Sequence, residues 1–226
     1  MYFLVDKKLK IVFGWSAKCG CSHIKKIFWY MKNNIDNSII HTSKERKSLP
    51  TDIENYTIIL IIRNPFERII SGFLDKYRVN GGNVNRWKHD TITFSKFVDE
   101  LLINDWIMID KHHFTPQTTE KFDSELILKS KELKIYDIKN IDYNYIEELY
   151  NKKIPEKLLI FKGGHERKIK SQIIEDFVFD LEMNLYYDYN IDIKYFYNNI
   201  IKNKIFSFYK NDFIFFKQHG FDYKIY

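Results

Sequence analysis

Residues 57–62, which read TIILII, constrain the fold more than any other stretch of this chain. A continuous run of β-branched and other apolar residues is typical of a strand that is covered on both faces in a parallel sheet. Arg63 follows the run, and Asn64 and Pro65 then stand where the N-cap and the first residue of a helix belong. Apolar residues recur at helical spacing as far as Tyr77. The segment therefore predicts a strand, a short turn and an amphipathic helix.

The segment 13–26, which reads FGWSAKCGCSHIKK, predicts a second strand, loop and helix. Backbone N–H groups of the loop and of the first helical turn, here residues 18–22, form an anion site in such a junction. Lys18 adds a positive charge, and Gly20 lets the backbone approach a phosphate or sulfate closely. Ser22 can cap the helix or donate a hydrogen bond to the anion. Because Gly and Ser also occur at ordinary βα junctions, a purely structural role stays open.

The two junctions together indicate one ligand with two separated anionic groups, because open α/β sheets bind ligands at the carboxyl ends of their strands. Arg63 stands at the end of its strand and Ser71 about two helical turns further along, so both can reach one anion. Arg63 can instead pair with Glu67. Lys18 precedes Gly20, whereas the lysine of GxxxxGK[ST] follows its glycine. That order disfavours an ordinary ATP or GTP hydrolase.

The overall composition bounds the class of protein. A chain of 226 residues can bury one sizeable core, and we predict a single domain over residues 1–226. The net charge of +6 suits anionic ligands without distinguishing a nucleotide from a nucleic acid, an acidic glycan or a membrane surface. Cys19 and Cys21 are too close for an ordinary disulfide and too few for a zinc site. Charges interrupt the apolar N-terminus, so we expect a soluble, cytoplasmic protein without a signal peptide or membrane span.

Shorter patterns cover the rest of the chain. Residues 1–15 read as strand material, and residues 92–104 predict an amphipathic helix. Two further short strands are predicted at Ser124–Leu128 and Leu133–Ile141. The aromatic C-terminal part is helical in pattern, and its rings are predicted to be core residues. The whole predicts an α/β fold with a central, mainly parallel sheet flanked by helices.

These segments resemble the sulfotransferases that use 3′-phosphoadenosine 5′-phosphosulfate (PAPS), in particular the Golgi carbohydrate sulfotransferases and their bacterial and viral relatives. Residues 17–26 (AKCGCSHIKK) look like the family's 5′-phosphosulfate loop, with Ala17 where a proline is usual. Residues 63–77 (RNPFERIISGFLDKY) resemble its 3′-phosphate motif, and residues 113–117 (HFTPQ) resemble its HFxPQ element. The resemblance implies a P-loop-like three-layer fold.

The resemblance also implies roles for particular residues. Lys18 and the following amides would hold the 5′-phosphosulfate, and Arg63 and Ser71 would hold the 3′-phosphate. Residues 165–168, within a basic loop at residues 161–171, are similar to a later loop that closes over the cofactor. PAPS would be the donor, and no metal is expected because the positive groups belong to the protein. The predicted cofactor-binding residues are Lys18, Cys19, Gly20, Cys21, Ser22, His23, Arg63, Ser71 and Lys168.

The predicted catalytic residues are Lys18, His41 and His113. Sulfuryl transfer should resemble phosphoryl transfer, in which charge develops on the leaving oxygen, and Lys18 can stabilise that charge. The acceptor hydroxyl needs a base, for which a neutral histidine is suited at pH 7. His41 lies between the two cofactor motifs, where several sulfotransferases carry a catalytic histidine. His113, on the HFxPQ-like element, is the other candidate, either as base or as acceptor contact.

The leading hypothesis is a PAPS-dependent sulfotransferase that acts on a hydroxyl of a carbohydrate, without a nucleic-acid partner. One alternative is a nucleotide-dependent kinase with an atypical phosphate loop, which would need magnesium and a carboxylate to hold it. No such carboxylate ends the strand 57–62, because Arg63 stands there. The other alternative is a non-catalytic protein that binds anions or acidic glycans with steep salt dependence. The acceptor and the oligomeric state stay open.

Overall fold

The structure, a computed structural model, describes most of the chain. The described residues are 1–35, 47–78, 80–160 and 170–225. They form a mixed α/β fold with a central, mostly parallel sheet of four strands flanked by helices. The predicted fold class is confirmed.

The chain divides into two compact units. The first unit contains residues 1–63 and 117–164, and the second contains residues 64–116 and 165–226. Each unit has a buried hydrophobic core of its own. The prediction of one domain over the whole chain stays a prediction.

The sheet of the first unit has the strand order β1-β2-β3-β4. Its strands are β1 (Tyr2–Asp6), β2 (Ile11–Trp15), β3 (Thr57–Ile62) and β4 (Glu132–Asp137). β1 is antiparallel to β2, whereas β2, β3 and β4 are mutually parallel. The carboxyl ends of β2, β3 and β4 therefore meet at one edge of the sheet.

Local sequence explains two features of this sheet. The predicted N-terminal strand material divides into β1 and β2 because a tight turn reverses the chain. In this turn Asp6 Oδ1 accepts hydrogen bonds from the N–H groups of Lys8 at 3.0 Å and Leu9 at 3.2 Å. All residues of β3 are buried, which confirms that this apolar strand is covered on both faces.

The remaining regular structure of the described residues is mainly helical. In chain order the helices are α1 (Cys21–Asn33), α2 (Pro65–Lys76), α3 (Phe94–Leu102), α4 (Lys111–Phe114), α5 (Ser124–Leu128), α6 (Tyr143–Tyr150), α7 (Glu156–Leu159), α8 (Asn199–Phe208) and α9 (Lys210–Gln218). The second unit also contains a two-stranded parallel sheet of β5 (Ile173–Ile174) and β6 (Asn190–Ile191). Among the described residues, no helix is both long and apolar enough to cross a membrane.

The start of α2 confirms the predicted N-cap, because Asn64 Oδ1 accepts a hydrogen bond from the N–H of Phe66 at 3.0 Å. The strand predicted at Ser124–Leu128 is wrong, since this segment is α5. Asp123 Oδ1 accepts a hydrogen bond from the N–H of Leu126 at 3.0 Å and caps the helix. The helix cap at Asp123 thus favours a helix here, although the short apolar pattern had indicated a strand.

Aromatic rings fill the core of the second unit. The predicted apolar stripe of α2 is buried there, and Phe73 packs on Phe97 of α3 with ring centroids 5.0 Å apart. Phe97 in turn contacts Phe114 of α4 at 4.8 Å in an edge-to-face arrangement. This core holds α4, which carries one of the predicted catalytic residues.

Candidate active site

The loop between β2 and α1 turns sharply through two left-handed residues. Lys18 and Gly20 both have φ of 67°. A left-handed conformation costs a non-glycine residue about 1–2 kcal/mol, so Lys18 is held there by its surroundings, whereas Gly20 adopts it readily. A hydrogen bond from the N–H of Cys19 to Ser16 O, at 3.2 Å, closes the turn.

The first turn of α1 contains backbone N–H groups that have no partner within the helix. The N–H of Ile24 donates to Gly20 O at 3.0 Å, so the N–H groups of Cys21, Ser22 and His23 precede the first hydrogen bond of the helix. The first turn contains no acidic residue, so no carboxylate of this turn offsets the positive end of the helix dipole. The suggestion that Ser22 caps the helix is wrong. Gly20 is the N-cap residue, and no side chain caps α1.

Arg63, which follows β3, contacts the β2–α1 loop within the first unit. Its guanidinium Nη1 donates a hydrogen bond to Lys18 O at 3.1 Å. Both residues are partly exposed. The edge where β2 and β3 end therefore carries two cationic side chains beside the N-terminus of α1, and this arrangement suits a ligand with more than one anionic group.

Gln117 also lies at this edge and is fully buried. Its Oε1 accepts hydrogen bonds from the Cys19 thiol at 2.9 Å and from the N–H of Arg63 at 3.1 Å. Its Nε2 donates to Arg63 O at 2.8 Å. Sequence reasoning noted Gln117 only within the HFxPQ-like element and assigned it no role. Its partners are far away in the sequence, so no local pattern indicated them.

The side chain of His23 is engaged within the first unit. It is buried, and its Nε2 lies 2.8 Å from the hydroxyl of Tyr143. Burial, with a smaller contribution from the charge of Lys26, lowers the pKa of His23 to about 4. The imidazole is therefore neutral at pH 7. The prediction that His23 binds the cofactor thus depends on its backbone N–H.

In the second unit, His113 forms a pair with Asp110 that the sequence analysis did not identify. His113 Nδ1 lies 2.7 Å from Asp110 Oδ2. An ionised carboxylate only accepts hydrogen bonds, so Nδ1 carries the hydrogen and Nε2 carries the lone pair. This is the tautomer that a general base requires at Nε2. Asp110 stands three residues before His113, at the start of a helix, and this spacing is the sequence signal that could have identified the pair.

Several donors hold the Asp110 carboxylate in place. Oδ1 accepts a hydrogen bond from the N–H of His112 at 3.0 Å and caps α4, while Asn83 Nδ2 donates to Oδ2 at 3.2 Å. Burial alone would raise the pKa of Asp110. The hydrogen bond that His113 donates, together with further contributions from neighbouring groups such as the Asn83 amide, outweighs burial and holds that pKa well below its usual range. Asp110 is therefore ionised at neutral pH.

Arg68 of α2 positions the backbone around His113. The Arg68 side chain is buried, and its guanidinium donates hydrogen bonds to His113 O at 3.1 Å and to Thr115 O at 2.9 Å. Ser71 lies one helical turn further along α2 and is partly exposed. Its assignment to the 3′-phosphate stays a prediction from the motif.

Two predicted residues, His41 and Lys168, lie outside the described residues. Within residues 1–35, 47–78, 80–160 and 170–225, no group of three or more His, Cys, Asp or Glu side chains is arranged to hold a metal ion. The expectation that the reaction needs no metal stays a prediction.

Comparisons with known proteins agree on one family. The family model described as "Sulfotransferase family" matches residues 1–219. The chain is 31% identical over 87 residues to carbohydrate sulfotransferase 9 of Homo sapiens. That match covers 32% of this chain and only 20% of the human protein. No solved structure matches the chain.

Proposed function

We propose that this chain, which belongs to the sulfotransferase family, transfers a sulfuryl group from PAPS to a hydroxyl group of a carbohydrate. The β2–α1 junction carries the proposal, because its left-handed loop, its helix N-terminus and the Arg63–Lys18 hydrogen bond lie at one sheet edge. The carbohydrate acceptor is supported by the name of the human relative. It is a proposal, because the two chains are alike over a short part of their lengths.

The residues of the first unit fit the anionic ends of such a donor. When bound, PAPS would supply the activated sulfuryl group. Lys18 and the N–H groups of residues 19–23 would hold the phosphosulfate and offset negative charge there. Each well-placed donor of this kind contributes about 3–4 kcal/mol to catalysis. Arg63 would bind the 3′-phosphate, and Ser71 is proposed for the same phosphate from the motif.

His113 is the proposed general base. Its Nε2 would accept the proton of the acceptor hydroxyl, while Asp110 holds the ring in the required tautomer and stabilises the imidazolium that results. A base of this kind contributes about 10²–10⁴-fold to the rate. His41 stays a second candidate from its place between the cofactor motifs.

Titration calorimetry with 3′-phosphoadenosine 5′-phosphate, the desulfated donor, tests the proposed cofactor. We expect wild type to bind this nucleotide more tightly than magnesium-ATP. Arg63→Ala and Ser71→Ala should each weaken binding about tenfold or more, because each removes a partner of the 3′-phosphate. Arg86→Ala and Ser207→Ala are matched controls at exposed positions and should bind like wild type.

Preference for magnesium-ATP would contradict the sulfotransferase cofactor and favour a kinase. Absence of nucleotide binding, with salt-dependent binding of acidic glycans, would favour a non-catalytic binding protein. Once the nucleotide is confirmed, sulfuryl transfer to a panel of mono- and oligosaccharides, with phenols as comparison, tests the acceptor.

A further inference from the structure

The buried amide of Gln117 connects the two parts of the candidate site in the first unit. We propose that Gln117 is a positioning residue for the donor nucleotide, because it holds both Arg63 and the β2–α1 loop in their binding geometry. This inference rests on the proposed function, since it concerns the same nucleotide site.

Gln117 fixes the backbone at the point where β3 ends. Oε1 accepts from the N–H of Arg63 at 3.1 Å, and Nε2 donates to the carbonyl of the same residue at 2.8 Å. Two hydrogen bonds to one planar amide restrict the orientation of this backbone segment. They thereby fix the direction in which the Arg63 side chain leaves the strand, and this direction allows its guanidinium to reach Lys18 O.

Gln117 also holds the loop through Cys19. The Cys19 thiol is fully buried and donates to Oε1 at 2.9 Å. Cys19 lies between Lys18 and Gly20, the two residues with φ of 67°. An anchor at the central residue keeps the neighbouring backbone in a conformation that Lys18 would not adopt readily by itself. The same amide oxygen thus serves both sides of the nucleotide site.

A test separates positioning from general stability. Gln117→Met preserves the length of the side chain and removes all three hydrogen bonds, so the dissociation constant for 3′-phosphoadenosine 5′-phosphate should rise about tenfold or more. Cys19→Ala should raise it about threefold, and Cys19→Ser should restore it because a hydroxyl donates the same bond. Gln218→Met, the same substitution at an exposed position, should leave binding unchanged.

Titration calorimetry measures binding, circular dichroism verifies folding, and steady-state kinetics separate the two substrates. The KM for the acceptor should be unchanged in each variant, which a general loss of structure would not produce. Wild-type affinity in folded Gln117→Met would overturn the inference while leaving the proposed function intact. If Gln117→Met fails to fold, Cys19→Ala and Cys19→Ser test the inference instead. Weaker nucleotide binding in Cys19→Ala that is restored in Cys19→Ser supports the positioning role, whereas wild-type affinity in Cys19→Ala refutes it. Failure of wild type to bind the nucleotide would overturn the proposed function and this inference with it.

Discussion

Replacement of Asp110 by Asn is the sharpest test of the proposed base. The remaining oxygen of the new amide is needed to accept the hydrogen bond from the N–H of His112 that caps α4. Its NH₂ group then faces His113 Nδ1, which lies 2.7 Å from Oδ2 in the native pair. A donor at that place forces Nδ1 to accept, so the hydrogen of the imidazole moves to Nε2.

The structure sets the expected magnitudes. With Nε2 protonated, His113 cannot accept the proton of the acceptor hydroxyl, and kcat should fall by about 10²–10⁴-fold. The variant also exchanges a hydrogen bond to a charged, largely buried carboxylate for one between neutral groups, which should lower the free energy of unfolding by about 0.5–2 kcal/mol. For a chain of this size, the loss corresponds to a fall in Tm of roughly 1–8 °C.

The assay is kcat for sulfuryl transfer at saturating donor and acceptor, with Tm followed by circular dichroism. Asn83→Ala is the matched control, because it removes the other side-chain donor to Oδ2 without changing the tautomer of His113. Its kcat should stay within about threefold of wild type. Wild-type kcat in Asp110→Asn would refute the tautomer argument, and wild-type kcat in His113→Ala would refute the assignment of the base.

Three further predictions concern local geometry and pH. Gly72→Ala places a Cβ 2.5 Å from Cε1 of Phe114, so it should destabilise the protein by about 1–3 kcal/mol in chemical denaturation, and Phe114→Leu should recover part of that loss. The contribution of neutral His23 to stability is fully present above about pH 6.5 and is lost as pH falls towards its native pKa of about 4. The loss should be about 3 kcal/mol in wild type and absent in His23→Gln, as measured by urea unfolding across this pH range. Gly20→Ala should destabilise the left-handed turn by about 1–2 kcal/mol and weaken nucleotide binding, whereas Gly20→Asn should have a smaller effect; equal effects would contradict the role of φ at this position.

The sequence predicted the β3–α2 segment well because its signals are local. The run of apolar residues identified the buried strand. Asn64 caps the helix through a hydrogen bond from the nearby N–H of Phe66, and the ring of Pro65 fixes a helical φ, so neither signal needs a distant partner. The same reasoning was wrong at Ser124–Leu128, because five residues are too few for periodicity to separate a strand from a short helix.

The sequence also predicted that the loop at Lys18 and the strand end at Arg63 share one edge of the sheet. Parallel strands place their carboxyl ends at one edge, so the loop at Lys18 and the strand end at Arg63 were expected to lie close together. The hydrogen bond between Arg63 and Lys18 O confirms that expectation. The role of Asp110 could also have been predicted from the sequence, because a helix-capping residue three positions before His113 is a local pattern.

By itself, the sequence determined the strand-to-helix junctions, the cationic residues beside them and the family resemblance, since all of these depend on residues close together in the chain. Only the tertiary structure decided that Gln117 holds Cys19 and Arg63, and that the imidazole of His23 is buried against Tyr143. These contacts join segments that are far apart in sequence. Their partners are chosen by the packing of the folded chain and by the need to satisfy buried polar groups, which no local pattern of residues specifies.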